Sequence, residues 1–341
     1  MPALDSAFAK SAALAAGFHK AGVARAEPLD PGPLDRVLER GFEADMAWLR
    51  RTREARLDPS RLLPGARSVL ALALAHHPGE ASPPPPGTAQ VARYARGRDY
   101  HAVMKRRLAD LSARLRGRDP GVRLVATADI APVMEKAWAE RAGIGWIGKN
   151  GCLLTEDLGS WVLLATVILD RELEPDRPHP ERCGDCAACL PACPTGAIPE
   201  PGVVDARRCL SFHTIERRGP IPDEVAQGAA GWGFGCDACQ TVCPWNRGRA
   251  PTCDPDLMPR RGQSAFDLPA MLALTLEQYR RRFWGTALAR ARYQGLVRNA
   301  LLAAGHSGDR GLLPAVRALL GDDDEGVRRA AAFALGRLGG G

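Results

Sequence analysis

Seven of the ten cysteines in this 341-residue chain fall into two runs whose spacing points to iron chemistry. The first is Cys183-x2-Cys186-x2-Cys189-x3-Cys193-Pro194. That is the bacterial ferredoxin pattern for cubane clusters: three thiolates wrap one cluster, and the fourth, followed by proline, turns away to a second. A second set should therefore exist, and Cys236-x2-Cys239-x3-Cys243-Pro244 supplies it, with Cys209 upstream as the missing fourth thiolate. The crossed assignment puts Cys183, Cys186, Cys189 and Cys243 on one 4Fe-4S cluster and Cys193, Cys209, Cys236 and Cys239 on the other. Cys152 and Cys253 are left over and read as small apolar residues. A pair of zinc sites is the alternative, but zinc gives no reason for two Cys-x3-Cys-Pro endings.

Two such clusters move electrons one at a time. A stand-alone ferredoxin needs only a short chain, so these clusters should feed another centre in the mixed α/β region that precedes them. No Rossmann G-x-G-x-x-G and no P-loop is present. Nor is there an Asp-x-His-x-x-Gly of the kind that donates histidine to cobalt; Asp99-Tyr100-His101 begins that way but lacks the glycine. "YARGRDYH" (94–101) gathers Arg96, Arg98, Asp99, Tyr100 and His101 around a glycine. It reads as an anion- or cofactor-binding loop, or as a solvated basic helix start. Asp129 ends a strand just before a helix opened by Pro132. Partial burial there would raise its pKa and make it a proton donor near neutral pH; a plain loop or capping aspartate is the alternative. In the glycine-rich "GIGWIGKNG" (143–151), Lys149 and Asn150 supply polar groups where backbone approaches something closely.

The elements that must position these residues are legible from periodicity. Helical spacing runs near 5–22, 33–57 and 100–116, and strands are expected at 68–77 and 123–130. Residues 152–170 read as a hairpin turning near 157–160, and 76–87 as a proline-rich loop. The domain reading is an α/β region over 1–175, a ferredoxin-like segment over 176–250 and a helical region over 251–341. In the last, "LVRNALLAAG" (296–305) echoes "GVRRAAAFALG" (326–336), with Asp322–Glu325 capping the second helix. The echo suggests a HEAT-like repeat or an ordinary helical hairpin.

Composition sets the remaining bounds. Hydrophobic residues make up 45% and charged residues 25%, which excludes a disordered chain. No apolar run is long enough to span a bilayer. The first twenty residues are interrupted by Lys10 and Lys20 and read as a surface helix, not a signal peptide, and no twin-arginine signal is present. A cytoplasmic protein without membrane contact is expected. The formal charge of +7 favours an acidic partner, nucleic acid first. Two clusters at about −2 each would leave a modest positive excess. Only five of the 46 basic residues are lysine, which fits either phosphate binding or codon usage.

Taken together, "YARGRDYH", "APVMEKAWAERAGIGWIGKNGCLL", "GSW", "CGDCAACLPACPTGAI", "CLSFHTIE" and "GCDACQTVCPWN" resemble the epoxyqueuosine reductase family from about residue 10 to 250, and the helical tail fits too. The resemblance implies an α+β multidomain protein. Its parts would be a nitroreductase-like α/β cobalamin-binding domain, a ferredoxin-like domain with two 4Fe-4S clusters and a helical HEAT-like tRNA-binding region. It implies reduction of epoxyqueuosine in a tRNA anticodon loop, the last step of queuosine synthesis. Cob(I)alamin, fed by the clusters, would open the epoxide, and Asp129 would protonate the departing oxygen. Ser211 and the backbone near Cys236 and Asp237 are expected by the cobalamin, with Arg96, Asp99, Tyr100, Lys149 and Asn150 completing the cofactor set. Arg217 is a candidate tRNA contact, and Arg260, Arg261, Arg280–Arg282 and Arg298 would grip phosphates. A monomer with an external low-potential one-electron donor is implied. The sequence departs from the family at Ile130, where a small residue is expected. The rival readings are a reductive dehalogenase-like cobalamin enzyme and a ferredoxin-type electron-transfer protein.

Overall fold

The computed structural model describes residues 3–77, 79, 85–251, 254–260 and 262–339; Cys253, Arg261 and half of the proline-rich loop lie outside these. Strands β1 (Lys20–Arg25), β2 (Ser68–Ala75), β4 (Leu124–Thr127) and β7 (Val162–Leu169) form an antiparallel sheet in the order β1-β2-β7-β4. The run "SVLALALA" of β2 is buried at every position, as a strand covered on both faces must be. Leu70, Leu72 and Leu74 meet one helical layer through Ala13 of Ser6–Ala15 and Met104 and Leu111 of Tyr100–Arg118. Val69, Ala71 and Ala73 meet the other through Leu34 and Leu38 of Gly32–Glu39 and Trp138 of Glu135–Arg141. Alternate side chains of one strand thus hold two layers together.

Three expectations are corrected. The helix expected over 5–22 ends at Ala15: Gly17 takes a left-handed φ of 93°, and residues 20–25 pair with β2 as β1. The helix expected over 33–57 breaks at Gly41, φ 65°, and resumes as the short helices Trp48–Arg51 and Arg53–Leu57. The hairpin expected over 152–170 does not form as such. Strand β6 (Leu153–Leu154) pairs back onto β5 (Trp146–Ile147), while β7 lies between β2 and β4. Only the bridge Thr155–Gly159 marks the expected turn. Pattern identifies strands; it does not choose their partners.

A second sheet takes one strand from each of the three expected divisions of the chain: β3 (Thr88–Val91) lies between β8 (Trp232–Phe234) and β9 (Ala265–Asp267). Its core continues into the tail, where the helix Glu325–Gly339 packs Val327, Ala331 and Ala334 against Leu296 and Ala300 of Arg292–Ser307. The approach is close enough that a Cβ on Gly305 would come within 3.0 Å of Ala334 Cα. The expected cap is present, with Asp324 Oδ1 accepting from the Val327 N–H at 3.0 Å. No helix among the described residues is long and apolar enough to cross a membrane.

Candidate active site and iron–sulfur sites

Cys183, Cys186, Cys189 and Cys243 line a single cavity of about 260 Å³, together with Lys149, Asn150 and Trp245. One member comes from the second cysteine run, as the crossing requires. The surrounding donors suit a thiolate-bound cluster: Trp146 Nε1 donates to Cys183 Sγ at 3.5 Å, and the buried Asn150 Nδ2 has no protein partner. Lys149 Nζ donates to the Gly184 carbonyl at 2.5 Å, fixing the loop that carries Cys183 and Cys186. Lys149 and Asn150, expected at the cobalamin, therefore stand on the wall of this four-cysteine cavity.

The other four cysteines also converge. The fields of Cys193 and Cys209 both reach Cys236, and those of Cys236 and Cys209 reach Cys239. Burial pushes the Cys236 thiol up to about 12, so a metal must displace its proton. The Ala197 N–H donates to Cys193 Sγ at 3.1 Å. Cys152 is not an isolated apolar filler: its thiol lies against Cys239.

A larger cavity of about 680 Å³ opens between the first sheet's layers, the cysteine-bearing segment and the tail. Tyr100, His101, Asp129, Cys209, Ser211 and Arg290 are on its wall. Asp129 sits beyond the end of β4 with φ 63°, a left-handed conformation that costs a non-glycine residue strain. Its N–H donates to Glu135 Oε1 at 3.0 Å, which pins the bend. The helix after it starts at Glu135, not at Pro132. Ile130, 82% exposed, stands beside Asp129 at the cavity wall.

The carboxylate of Asp129 is engaged. Tyr100 donates its hydroxyl proton to Oδ2, and His101 Nε2 lies 3.2 Å from the same oxygen. The other ring nitrogen, Nδ1, lies 2.7 Å from Asp99 Oδ1, and Asp99 also caps the helix Tyr100–Arg118 through the His101 N–H at 3.0 Å. The His101 bond holds the Asp129 carboxyl below its ordinary range; burial opposes this and Tyr100 assists. Between two carboxylates, Asp129 foremost, the His101 imidazole is raised to about 9. This is opposite in direction to the raised Asp129 expected from burial, because the hydrogen bonds from His101 and Tyr100 outweigh it. In the sequence, His101 stands inside "YARGRDYH" with no role of its own. Asp99, two residues before His101 at a helix start, was the available signal.

The remaining expected residues divide. Tyr100 and Ser211 face the large cavity with Asp129. Asp237 lines a hollow of about 240 Å³ that shares Tyr94 with it. Asp237 Oδ2 accepts from the Arg93 N–H at 2.8 Å. Arg96 Nε donates to the Val91 carbonyl at 2.8 Å and, with Arg93, offsets the burial that raises Asp237. Arg217 is ion-paired with Asp45 at 2.7 Å. Arg298 cannot grip a phosphate. It is 2% exposed, and its guanidinium donates to the carbonyls of His213, Arg217 and Gly219. Arg260, Arg280 and Arg281 are exposed. Sequence reasoning missed Trp284, 86% exposed beside this arginine run, and the Arg290–Glu216 pair at 2.8 Å on the cavity wall.

Comparison with known proteins matches these parts. Residues 56–129 match the family model described as epoxyqueuosine reductase QueG, DUF1730; residues 182–246 match a 4Fe-4S double cluster binding domain; residues 283–340 match HEAT repeats. An epoxyqueuosine reductase of Gloeobacter violaceus is 45% identical over 309 residues, covering 88% of this chain and 96% of that protein. One of Pseudomonas aeruginosa is 37% identical over 330 residues, covering 95% and 91%. A crystal structure of epoxyqueuosine reductase with a tRNA-Tyr epoxyqueuosine-modified stem loop superposes with a TM-score of 0.88 at 33% identity, covering 97% of this chain and 89% of that one.

Proposed function

Because the chain belongs to the epoxyqueuosine reductase family, we propose that it reduces the epoxide of epoxyqueuosine to the alkene in a tRNA anticodon loop. The overall change is epoxide plus two electrons and two protons giving alkene plus water. The observation that carries this reading is the continuity of the sites: Cys209, assigned to the second cluster, shares a cavity wall with Asp129. Electrons and a proton donor therefore meet in one space.

We assign that space to cobalamin, within a nitroreductase-like α/β unit. Its volume lies near the middle of the range of ligand pockets, and it shares Tyr94 with a second hollow. The buried His76 Nδ1, in a residue lining that hollow, has no protein partner and can meet an amide of the macrocycle. The one imidazole on the larger wall, His101, has both nitrogens engaged by carboxylates and leaves none for cobalt. Cobalamin, when bound, supplies a low-valent cobalt nucleophile toward an epoxide carbon. The chain's own part is to place Asp129 Oδ at the ring oxygen and to protonate it as it leaves, because an alkoxide is costly away from water.

The 1–175, 176–250 and 251–341 divisions serve as functional units on this reading, with β3 crossing from the first into the core of the other two. Arg260, Arg280 and Arg281 provide phosphate contacts, and the exposed Trp284 provides a face on which an unpaired base can stack. Arg217 reaches RNA only by exchanging Asp45 for a phosphate.

The test is anaerobic reconstitution with iron, sulfide and cobalamin, followed by assay on tRNA carrying epoxyqueuosine. Alkene should form with wild type. Asp129→Asn should lose about 10²–10⁴-fold in rate with both clusters intact, the range of a general acid. Full activity of that variant removes Asp129 from the chemistry.

A further inference from the structure

We propose that His101 stores the proton that Asp129 delivers to the departing epoxide oxygen, with Asp99 fixing the ring for that purpose. The inference rests on the reading of the site given above. It is carried by a proton count. Asp99 Oδ1 already accepts the His101 backbone N–H, and its second contact is His101 Nδ1 at 2.7 Å. A carboxylate oxygen only accepts there, so Nδ1 carries hydrogen. The opposite nitrogen, Nε2, faces Asp129 Oδ2 at 3.2 Å, and Tyr100 is the donor of the other bond to that oxygen. Two lone pairs cannot face each other in this contact. One proton must lie between Nε2 and Oδ2, on the imidazolium or on the acid. The site thus holds a transferable proton before substrate arrives.

The neighbourhood keeps that proton on the ring at rest. Asp99 and Asp129 flank the imidazole, and Tyr100 stacks on it with ring centroids 4.0 Å apart. Arg290 of the tail acts on Asp129 and is itself neutralised by Glu216; Arg56 faces Glu135 and Asp129 from the opposite layer. Two carboxylates bracket His101 directly, whereas both arginines act at longer range. The raised imidazole, about 9, agrees with this balance.

During turnover the proton passes from His101 Nε2 to Asp129 Oδ2, and Asp129 delivers a proton to the ring oxygen as its carbon–oxygen bond breaks, leaving neutral imidazole and the Asp129 carboxylate. His101, whose side chain is 39% exposed, is recharged from solvent for the second proton, which leaves with the oxygen as water. The two electrons come through the clusters from the external one-electron donor. His101 acts through Asp129 and need not touch the substrate.

Two measurements test this. In the cluster-loaded, cobalt(III)-cobalamin enzyme, the His101 ring is followed by NMR against pH, its signal identified by loss in His101→Gln or displacement in Asp99→Asn. A midpoint near 9 is expected, and one at or below the ordinary value of about 6.5 overturns the proposal. In the tRNA assay, wild type should keep its rate until an alkaline limb near that midpoint. His101→Gln should lose about tenfold per pH unit above the carboxyl range, reaching 100-fold or more by pH 8. Asp99→Asn should move the alkaline limb down by about one unit, whatever its effect on the plateau rate. Uniform losses with unshifted limbs would mean that His101 is merely structural. If wild type makes no alkene at any pH, the functional reading fails, while the NMR midpoint still decides whether the stored proton exists.

Discussion

The two cysteine sites differ in what surrounds them. Around the first, residues 184–188 are exposed, and the cavity holding Cys183, Cys186, Cys189 and Cys243 reaches the surface beside Arg182. Around the second, Leu210, Phe212, Phe234 and Asp237 are buried, and Cys209 opens onto the large cavity instead of onto solvent. On the proposed reading, the difference gives a direction: electrons would enter where an external donor can dock and leave where the substrate space begins. The supports differ too. The first site leans on the loop 143–154 through Trp146, Lys149 and Asn150. The second is braced from the tail. Asn299 Nδ2 donates to the carbonyls of Thr214, at 2.8 Å, and Gly233, at 3.0 Å. It ties the helix after Cys209 to the strand before Cys236.

Removing one ligand from each site gives the largest effects and tests the crossing. Cys209→Ser should abolish alkene formation and leave about four of eight irons, because the cluster next to the cavity is lost. Cys243→Ser should also lose about half the iron, but from the outer site, although Cys243 belongs to the second run. Electron paramagnetic resonance of the reduced proteins distinguishes the two. If Cys243→Ser removed the same cluster as Cys209→Ser, the crossed arrangement and the outward-to-inward direction would both fail.

A smaller effect is expected from the brace. Asn299→Ala leaves two buried carbonyls without their donor, a loss of about 2–3 kcal/mol. Urea unfolding should register it, and a chelator should strip the second cluster sooner than the first. Equal stripping would show that the tail supports both sites alike. The same contrast bears on RNA binding: Arg281→Ala should lower the salt slope of tRNA binding by about one, since an exposed guanidinium releases counterions on contact. Arg298→Lys should leave that slope unchanged and cost stability, because its guanidinium serves carbonyls inside the protein.

What the sequence disclosed follows the same divide between local and distant relations. The cysteine runs were legible because the ligand code is local: fixed short gaps and a proline. Strand β2 and the long helix Tyr100–Arg118 were legible because their burial follows a regular period. Strand β1 was read as helix because small residues such as Ala21 and Ala24 suit either state; pairing with β2 decides it. Arg298 looked like a phosphate ligand because charge is visible in sequence and burial is not. Asp129 looked like a lone acid because its partners lie 28 and 29 residues away, and only the fold sets His101 and Tyr100 against it.

The smallest predicted effect concerns one indole. Trp146 is fully buried between the rings of His179 and Trp245, and its Nε1–H points to Cys183 Sγ at 3.5 Å. A donor to a cluster thiolate stabilises the more negative, reduced state and so raises the potential. Trp146→Phe keeps the apolar packing and removes the donor. The outer cluster should become harder to reduce, by some tens of millivolts, on the order expected for a single second-shell hydrogen bond. The inner cluster has no contact with Trp146 in the described structure and should stay where it was. A spectroscopic redox titration resolving both centres measures this directly. A shift of the inner cluster instead would mean that the indole serves the cavity side, and the contrast between an outer and an inner site would have to be drawn the other way round.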